Sequence, residues 1–393
     1  MADFEYLFIH PLMGTGEAWS GFLVETTSNN GNNAAMQPFL EHGELALFDK
    51  RHPWFFPVPP LCDLASNFPE QCVATFTIQT PPGADIEKLR AFEAELRQRK
   101  QKIALKAAPS QKLPGAGAWD YLLITTSHAR TLPPFTLLGL SSRTTIVATE
   151  VQSHADYEWA GSNACALKSM EFLLNRHPPG KKADLTRLKL LELLALIVAD
   201  ADTAKIEDIF RQEPKLAYSL LRLVNSAANA PRSPITTFSQ AINLLGRRQL
   251  QRWLQLLVFA DPNNGQQVNP LLQKAAARGR IIELLAAELM PAEKDANFLD
   301  AAFMVGTFSL LDVLLNMPIK EVLQHLPLPE IAHDALADHR GPLGQLLMAM
   351  TSTESRDLSA AAQQLQNLSI SPAKHLNAQM TALNWATKIH PDN

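Results

Sequence analysis

The feature that most constrains the fold is a change of hydrophobic period at "NRHPPGKKADLT", residues 175–186. Upstream, short apolar runs of strand length recur: "YLFIHPL", "GFLVETT", "CVATFTIQ", "KIALKAA", "DYLLITT" and "TTIVATEV". Between the third and fourth lies "ADIEKLRAFEAELRQRKQK", where Ile86, Leu89, Phe92 and Leu96 share one helical face and Asp85 and Glu87 stand in the first turn. Strands alternating with a crossover helix predict parallel βαβ units, hence an α/β sheet or barrel. "TSNNGNN" and "HPWFFPVPP" read as loops that interrupt it. Downstream no strand pattern is left, and "LTRLKLLELLALIVAD" is apolar on nearly every face, as a central bundle helix would be. Pro178, Pro179 and Gly180 close the first pattern, so an α/β domain over 1–178 and an all-helical domain over 179–393 are expected. The 393 residues are enough for two cores.

Composition narrows the function classes. With 35 Lys and Arg against 39 Asp and Glu, the formal charge of -4 gives no global field for nucleic acid or an anionic membrane. Cys62, Cys72 and Cys165 are an odd count without metal-ligand spacing, as in a reduced cytoplasmic protein. "MADFEYLFIHPLMG" carries acids where a signal peptide needs positive charge. "LLALIVA" and "AAFMVGTFSLL" are shorter than the ~20 residues of a membrane span and are read as core helices.

The stretch from Arg222 to Trp253, "RLVNSAANAPRSPITTFSQAINLLGRRQLQRW", has no Cys, His, Asp or Glu. Before it, Pro214 suits a first helical turn, and Leu216, Leu220, Leu223, Val224 and Ala227 share a face. "APRSP" breaks the chain, Thr237 and Gln240 have capping-box spacing, and Gly246 can cap a helix end. In the next helix Leu250, Trp253, Leu254 and Leu257 point inward, with Arg248, Gln251, Arg252 and Gln255 opposite. Asn225 and Ser226 either satisfy the backbone at this corner or line a polar pocket. With Arg247, Arg248, Arg252 and Trp253 they form the candidate ligand or partner surface.

"LLRLVNSAANAPRSPITTFSQAINLLGRRQLQRWLQLLVFA", continued by "DAAFMVGTFSLLDVLLNMPIKEVLQHLPLPEIAHDALADHRGPLGQLL", resembles the HDOD domain, an all-helical relative of HD-type metal phosphohydrolases. The likeness covers nearly all of Leu185 to the C-terminus. HD hydrolases hold metal with a His-Asp doublet; "GTFSLLD" matches that motif and puts Ser309 and Leu310 at the doublet. The resemblance thus implies the fold without the hydrolase centre. His333-Asp334, with His325, Asp338 and His339 nearby, is the competing metal cluster. It lies beyond the motif, and adjacent helical residues point ~100° apart.

The first half is similar in strand order to an EAL domain of reduced length, the fold that hydrolyses cyclic di-GMP with two divalent metals. The resemblance implies a (β/α) barrel whose metal ligands are replaced. Leu23 falls at the Glu of the Glu-Ala-Leu motif, with Glu25 two residues on; Thr77 or Gln79 replaces the second acid. Lys106-Ala107 replaces the Asp-Asp pair, Leu123-Ile124-Thr125 the Lys-Ile-Asp strand, and Thr149, Glu150, Val151 and Gln152 the Glu-Lys-Val-Glu positions. The Gln-Gly pair falls near Ala166-Leu167.

The expected protein is therefore a degenerate EAL-like barrel followed by a metal-free HDOD domain, acting without catalysis or cofactor through protein partners in signalling. Alternatives are a receptor that binds cyclic di-GMP or another nucleotide through Lys106 or Arg247, Arg248 and Arg252, and a hydrolase using His325, His333, Asp334 and His339. One basic turn neutralises too few phosphates for a nucleic-acid role.

Overall fold

A computed structural model describes residues 5–27, 39, 44–58, 69–77, 85–109, 111–176, 195–196, 199, 207, 214–226, 231, 233–260, 269–289 and 296–389. Pro178 to Gly180, nearly all of the apolar stretch at 185–200, Cys62, Gln79, Ala227 and the side chains of Leu216 and Arg247 lie outside the described part. The chain divides into two compact units: residues 1–175 with 354–359, and 176–353 with 360–393.

The first unit is a closed eight-stranded barrel. Its strands are β1 (Leu7–Met13), β2 (Trp19–Thr26), β3 (Trp54–Pro57), β4 (Cys72–Thr77), β5 (Ile103–Lys106), β6 (Tyr121–Thr125), β7 (Thr145–Thr149) and β8 (Cys165–Lys168). From β2 to β8 every neighbouring pair is parallel, as the βαβ pattern requires. β1 departs from it: it forms an antiparallel hairpin with β2 and closes the barrel antiparallel to β8 at Met13 and Lys168. β3 corrects a sequence expectation, because it lies inside "HPWFFPVPP". Its two prolines disguise it: Pro53 precedes the strand and Pro57 is its last residue, so neither removes an interior ladder bond. Trp54, Phe55 and Phe56 are fully buried.

Inside, Leu23, Phe55, Val73, Leu123, Val147 and Leu167 share one packed cluster, as expected of a barrel of this strand number. The crossover helix α1 (Ile86–Gln98) is capped by Asp85, which accepts from the Glu87 and Lys88 amides. It buries Phe92 and Leu96, whereas Ile86 is exposed at its first turn. Among the described residues the unit also has three short α-helices: α2 (Thr126–Arg130), α3 (Thr136–Leu140) and α4 (His154–Ser162).

In the second unit the described residues form helices and no strand. They are α5 (Pro214–Val224), α6 (Phe238–Leu257), α7 (Pro270–Leu289), α8 (Ala296–Phe308), α9 (Leu311–Leu315), α10 (Ile319–Leu323), α11 (Glu330–Asp338), α12 (Gly341–Glu354), α13 (Leu358–Asn367) and α14 (Pro372–Thr387). Thr237 caps α6 by accepting from the Gln240 amide at 3.2 Å, while Gln240 Oε1 accepts from the Thr236 amide at 2.8 Å. The capping box is therefore displaced by one residue on its return arm. Gly246, at φ 73° and ψ 160°, breaks α6 into two helical stretches. Leu250, Trp253, Leu254 and Leu257 are buried as their spacing requires. Gln255, expected opposite them, is also buried.

α7 packs on α8 and α14. The run 297–315, spanning α8 and α9, has the length and mean hydropathy (1.8) to cross a membrane, yet 72% of it is buried inside the folded chain. It is a core element, longer than its sequence segment suggested because the apolar pattern continues past Asp312.

Candidate functional site

The barrel's candidate site is the mouth at the C-terminal ends of its parallel strands, where this architecture presents side chains from several strands to one space. Side chains alternate along a strand, so the interior positions of Leu23, Leu123 and Val147 place Glu25, Thr125 and Thr149 on the same inward face, nearer the mouth. Ala104 does the same for Lys106, which is exposed at the end of β5. Leu23 and Leu123 themselves lie in the packed core. Glu150 is exposed and adopts φ 55°. Ala107 is buried, its amide bonded to the Leu123 carbonyl at 2.8 Å.

The mouth holds a charge cluster. Glu25, at the end of β2, lies 3.3 Å from His10 Nε2 on the facing strand β1. Glu171 follows β8 and is buried; its second oxygen takes a hydrogen bond from Ser169, whose Oγ accepts from the Val151 amide at 3.1 Å. Between the two carboxylates stands the guanidinium of Arg356, from the segment 354–359 that belongs to this unit. Its Nη1 donates to Glu25, and its Nε and Nη2 donate to one oxygen of Glu171 at 3.0 and 2.9 Å. Burial opposes the charge on Arg356, but the carboxylates of Glu25 and Glu171 more than offset this and hold its pKa above the ordinary value. Arg356 adopts φ 66°, a left-handed conformation for a non-glycine residue.

In the helical unit, Asn225 at the end of α5 is fully engaged by backbone. Its Nδ2 donates to the carbonyls of Leu221 and Ile235, each at 2.7 Å, and its Oδ1 accepts from the Ile235 amide at 2.7 Å. Ser226 beside it is buried, and its Oγ has no hydrogen-bond partner among the described residues. Arg248 and Arg252 meet acids of neighbouring helices: Arg248 pairs with Asp300 at 2.6 Å, and Arg252 with Glu283 and, at 3.1 Å, with Asp300. Arg280 reaches Glu283 at 2.6 Å, and the Arg252 guanidinium lies over the Phe303 ring at 5.5 Å. Trp253 turns inward against Trp385, ring centroids 5.9 Å apart. Arg248 and Arg252 thus belong to one charged network, and Asn225 to a separate backbone clasp.

At the position of the HD doublet, Ser309 accepts from the buried Arg278 at 2.7 Å and donates to the Gly306 carbonyl at 2.7 Å, and Leu310 is buried. Nearby Asp312 has its pKa raised by burial, against the pull of the Val313 amide and the charges of Arg278 and Arg176. The histidine-rich segment is spread along α11 and its flanks. His333 and Asp334 are 3.7 Å apart and half-exposed, Asp338 pairs with Lys320 at 3.0 Å, and His339 caps α11 at φ 55°. Among the described residues no group of three or more His, Cys, Asp or Glu is placed to hold a metal ion.

Sequence reasoning singled out neither His10, Glu171 nor Arg356. Glu25 and Arg356 are 331 positions apart, and Glu171 and Arg356 are 185 apart. A charged residue in a helix break, as in "TESRD", carries no local sign of such partners.

Comparison with known proteins gives the following. The HDOD domain family matches residues 188–350. The chain is 27% identical over 187 residues to YuxH of Bacillus subtilis (strain 168), covering 47% of this chain and 44% of that protein. It is 28% identical over 192 residues to the cyclic di-GMP phosphodiesterase CdgJ of Vibrio cholerae serotype O1, covering 49% and 43%. The alignments thus span less than half the length of either relative. Among solved structures, a phosphohydrolase of Shewanella amazonensis SB2B aligns with TM-score 0.33 and 14% identity over 51% of this chain and 92% of that one. The Bacillus subtilis YkuI protein, with an EAL domain and in complex with cyclic di-GMP and calcium, aligns with TM-score 0.31 and 15% identity over 62% and 73%. Residues 188–350 of this chain are an HDOD domain.

Proposed function

We propose that this protein is a non-catalytic, cytosolic signal-transduction regulator of cyclic di-GMP signalling, in which an EAL-like barrel without its metals and a metal-free HDOD domain act through protein partners. The HDOD domain and the relationship to a cyclic di-GMP phosphodiesterase support the signalling assignment. The observation that carries the non-catalytic reading is the salt-bridged Arg356 at the barrel mouth. Two divalent cations need several anionic oxygens held close together. The mouth offers Glu25 and Glu171, both already neutralised in part by a guanidinium, and adds the cation Lys106. That donor set does not fit a metal pair. In the helical unit, the doublet positions hold Ser309 and the buried Leu310, and Ser309 accepts from the cation Arg278, with the same consequence.

The test is turnover of cyclic di-GMP by the purified full chain with Mg²⁺ or Mn²⁺. The expected result is none, and measurable linear dinucleotide would overturn the reading. Calorimetry with cyclic di-GMP separates the receptor alternative: Arg248 and Arg252 are committed to Asp300 and Glu283, so no saturable heat is expected from the helical unit. The partner arm is a pulldown with each chain half and with the full chain.

A further inference from the structure

The barrel closes unevenly. Among the described residues, β1 and β8 are registered at Met13 and Lys168 alone, whereas each other neighbouring pair of strands is registered at two or more positions. β8 is four residues long, and its register with β7 shifts between Ile146 and Val147. A sheet parts first where opening removes the fewest ladder bonds, and in this barrel that line is the β1–β8 seam.

Arg356 spans the seam. In barrel order β1 lies between β2 and β8. Glu25 stands near the end of β2, Glu171 follows β8 on the other side of β1, and the guanidinium donates to both. Its planar fork suits two acceptors at once. Both ends are fastened: Glu25 lies 3.3 Å from His10 of β1, while Glu171 accepts from Ser169, whose Oγ takes the amide of Val151 just beyond β7 at 3.1 Å. Residues 354–359 belong to the barrel unit, yet in the chain they lie at the join of α12 and α13. Ser355 and Asp357 are exposed, so the segment runs along the surface and turns the Arg356 side chain inward. It does so at φ 66°, which glycine adopts without cost and arginine does not. Backbone strain at a position that glycine would relieve points to a role for the side chain.

We propose that the β1–β8 seam is the line along which the barrel opens, and that residues 354–359 form a strap whose Arg356 latches it shut. With the latch engaged, side-chain bonds tie β2 to the end of β8 across β1, where ladder bonds are fewest. With it withdrawn, the buried Glu171 loses its cation, and Glu25 and Glu171 repel each other across the same seam. The seam then loosens while β3 to β7 keep their ladders. The device does not depend on whether the barrel hydrolyses a substrate.

The experiment is hydrogen exchange read by peptide mass spectrometry on the full-length wild type, Arg356→Met and Arg356→Gly. Met keeps an unbranched side chain without the charge, and Gly removes the side chain while suiting φ 66°, so the pair separates the latch from the backbone strain. In both variants, peptides over 7–13 and 165–174 should exchange about tenfold faster than in wild type or more. Peptides over 72–77 and 121–125 should exchange as in wild type, and Cys72 on β4 should stay closed to iodoacetamide. Wild type supplies a reading that needs no variant: in urea below the unfolding transition, 7–13 and 165–174 should be the first barrel strands to exchange. Equal acceleration over all strands, or alkylation of Cys72 in the variants, would make Arg356 a general stabiliser and overturn the latch. Wild-type exchange at 7–13 and 165–174 in either variant, or opening of 72–77 ahead of the seam in urea, would overturn it as well.

Discussion

Asn225 holds Ile235 at both of its backbone polar groups, donating to the carbonyl and accepting from the amide at 2.7 Å each. This pair closes the corner between α5 and α6 across ten residues, and a third bond to the Leu221 carbonyl fixes the side chain against its own helix. Asn225→Ala removes all three bonds and leaves the groups of the buried Ile235 without their partner. The expected cost is about 2–4 kcal/mol. Urea unfolding followed by circular dichroism should show an earlier midpoint with unchanged slope. Loss of partner binding with full stability would instead make Asn225 a contact residue.

A second prediction concerns the crossing of α7 and α8. A Cβ on Gly306 would stand 2.5 Å from Gly279 Cα and 2.8 Å from the Arg278 carbonyl oxygen, both on a rigid helix. Gly306→Ala should destabilise the helical unit by about 3 kcal/mol, since neither helix can yield without disturbing the core. Gly139→Ala in α3 meets nothing within 4 Å and should gain up to about 1 kcal/mol from helix propensity. Paired thermal melts read both, and equal melting temperatures would refute the close approach.

Thiol chemistry provides a third. Burial pushes the Cys72 thiol up to about 12 and the Cys165 thiol up to about 11. The thiolate is the reacting species, so both should resist iodoacetamide in the native protein at mildly alkaline pH and react once it is unfolded. Peptide mass mapping distinguishes them, and native-state alkylation of either would contradict its burial.

Asp312 gives a pH-dependent test. Burial raises its folded-state pKa, so the folded chain holds the proton more tightly than the unfolded one. Between the ordinary carboxylate value of 3.8 and the raised folded value, the unfolded state has the fewer protons, and this residue's contribution to stability falls as pH rises. Asp312→Asn should therefore be more stable than wild type at neutral pH, with the advantage disappearing below the ordinary value. Urea midpoints measured across that range check the sign.

How much of this was legible in the sequence depended on range. The runs that became β1, β2 and β4 to β7 follow local rules, and so does α1 with its Asp85 cap. β3 did not, because a four-residue strand that follows one proline and ends on another carries no alternation to detect. The inward row of α6 was readable from its period, but the burial of Gln255 and the ion pairs of Arg252 were not; the acids that meet Arg252 stand 31 and 48 positions further along the chain. Glu283 and Asp300 convert what reads as a basic face into a compensated network. At the barrel mouth, Glu25 was visible as the acid two residues past the motif position. Its cationic partner was not, because nothing local to Arg356 specifies a residue 331 positions away.

A positive charge supplied by a side chain differs in kind from one supplied by a dissolved ion. It arrives with translation at fixed stoichiometry, cannot be chelated and cannot be exchanged for a competing metal. With Arg356 between Glu25 and Glu171, the partial compensation of charge at the barrel's open end is independent of the cell's supply of divalent ions.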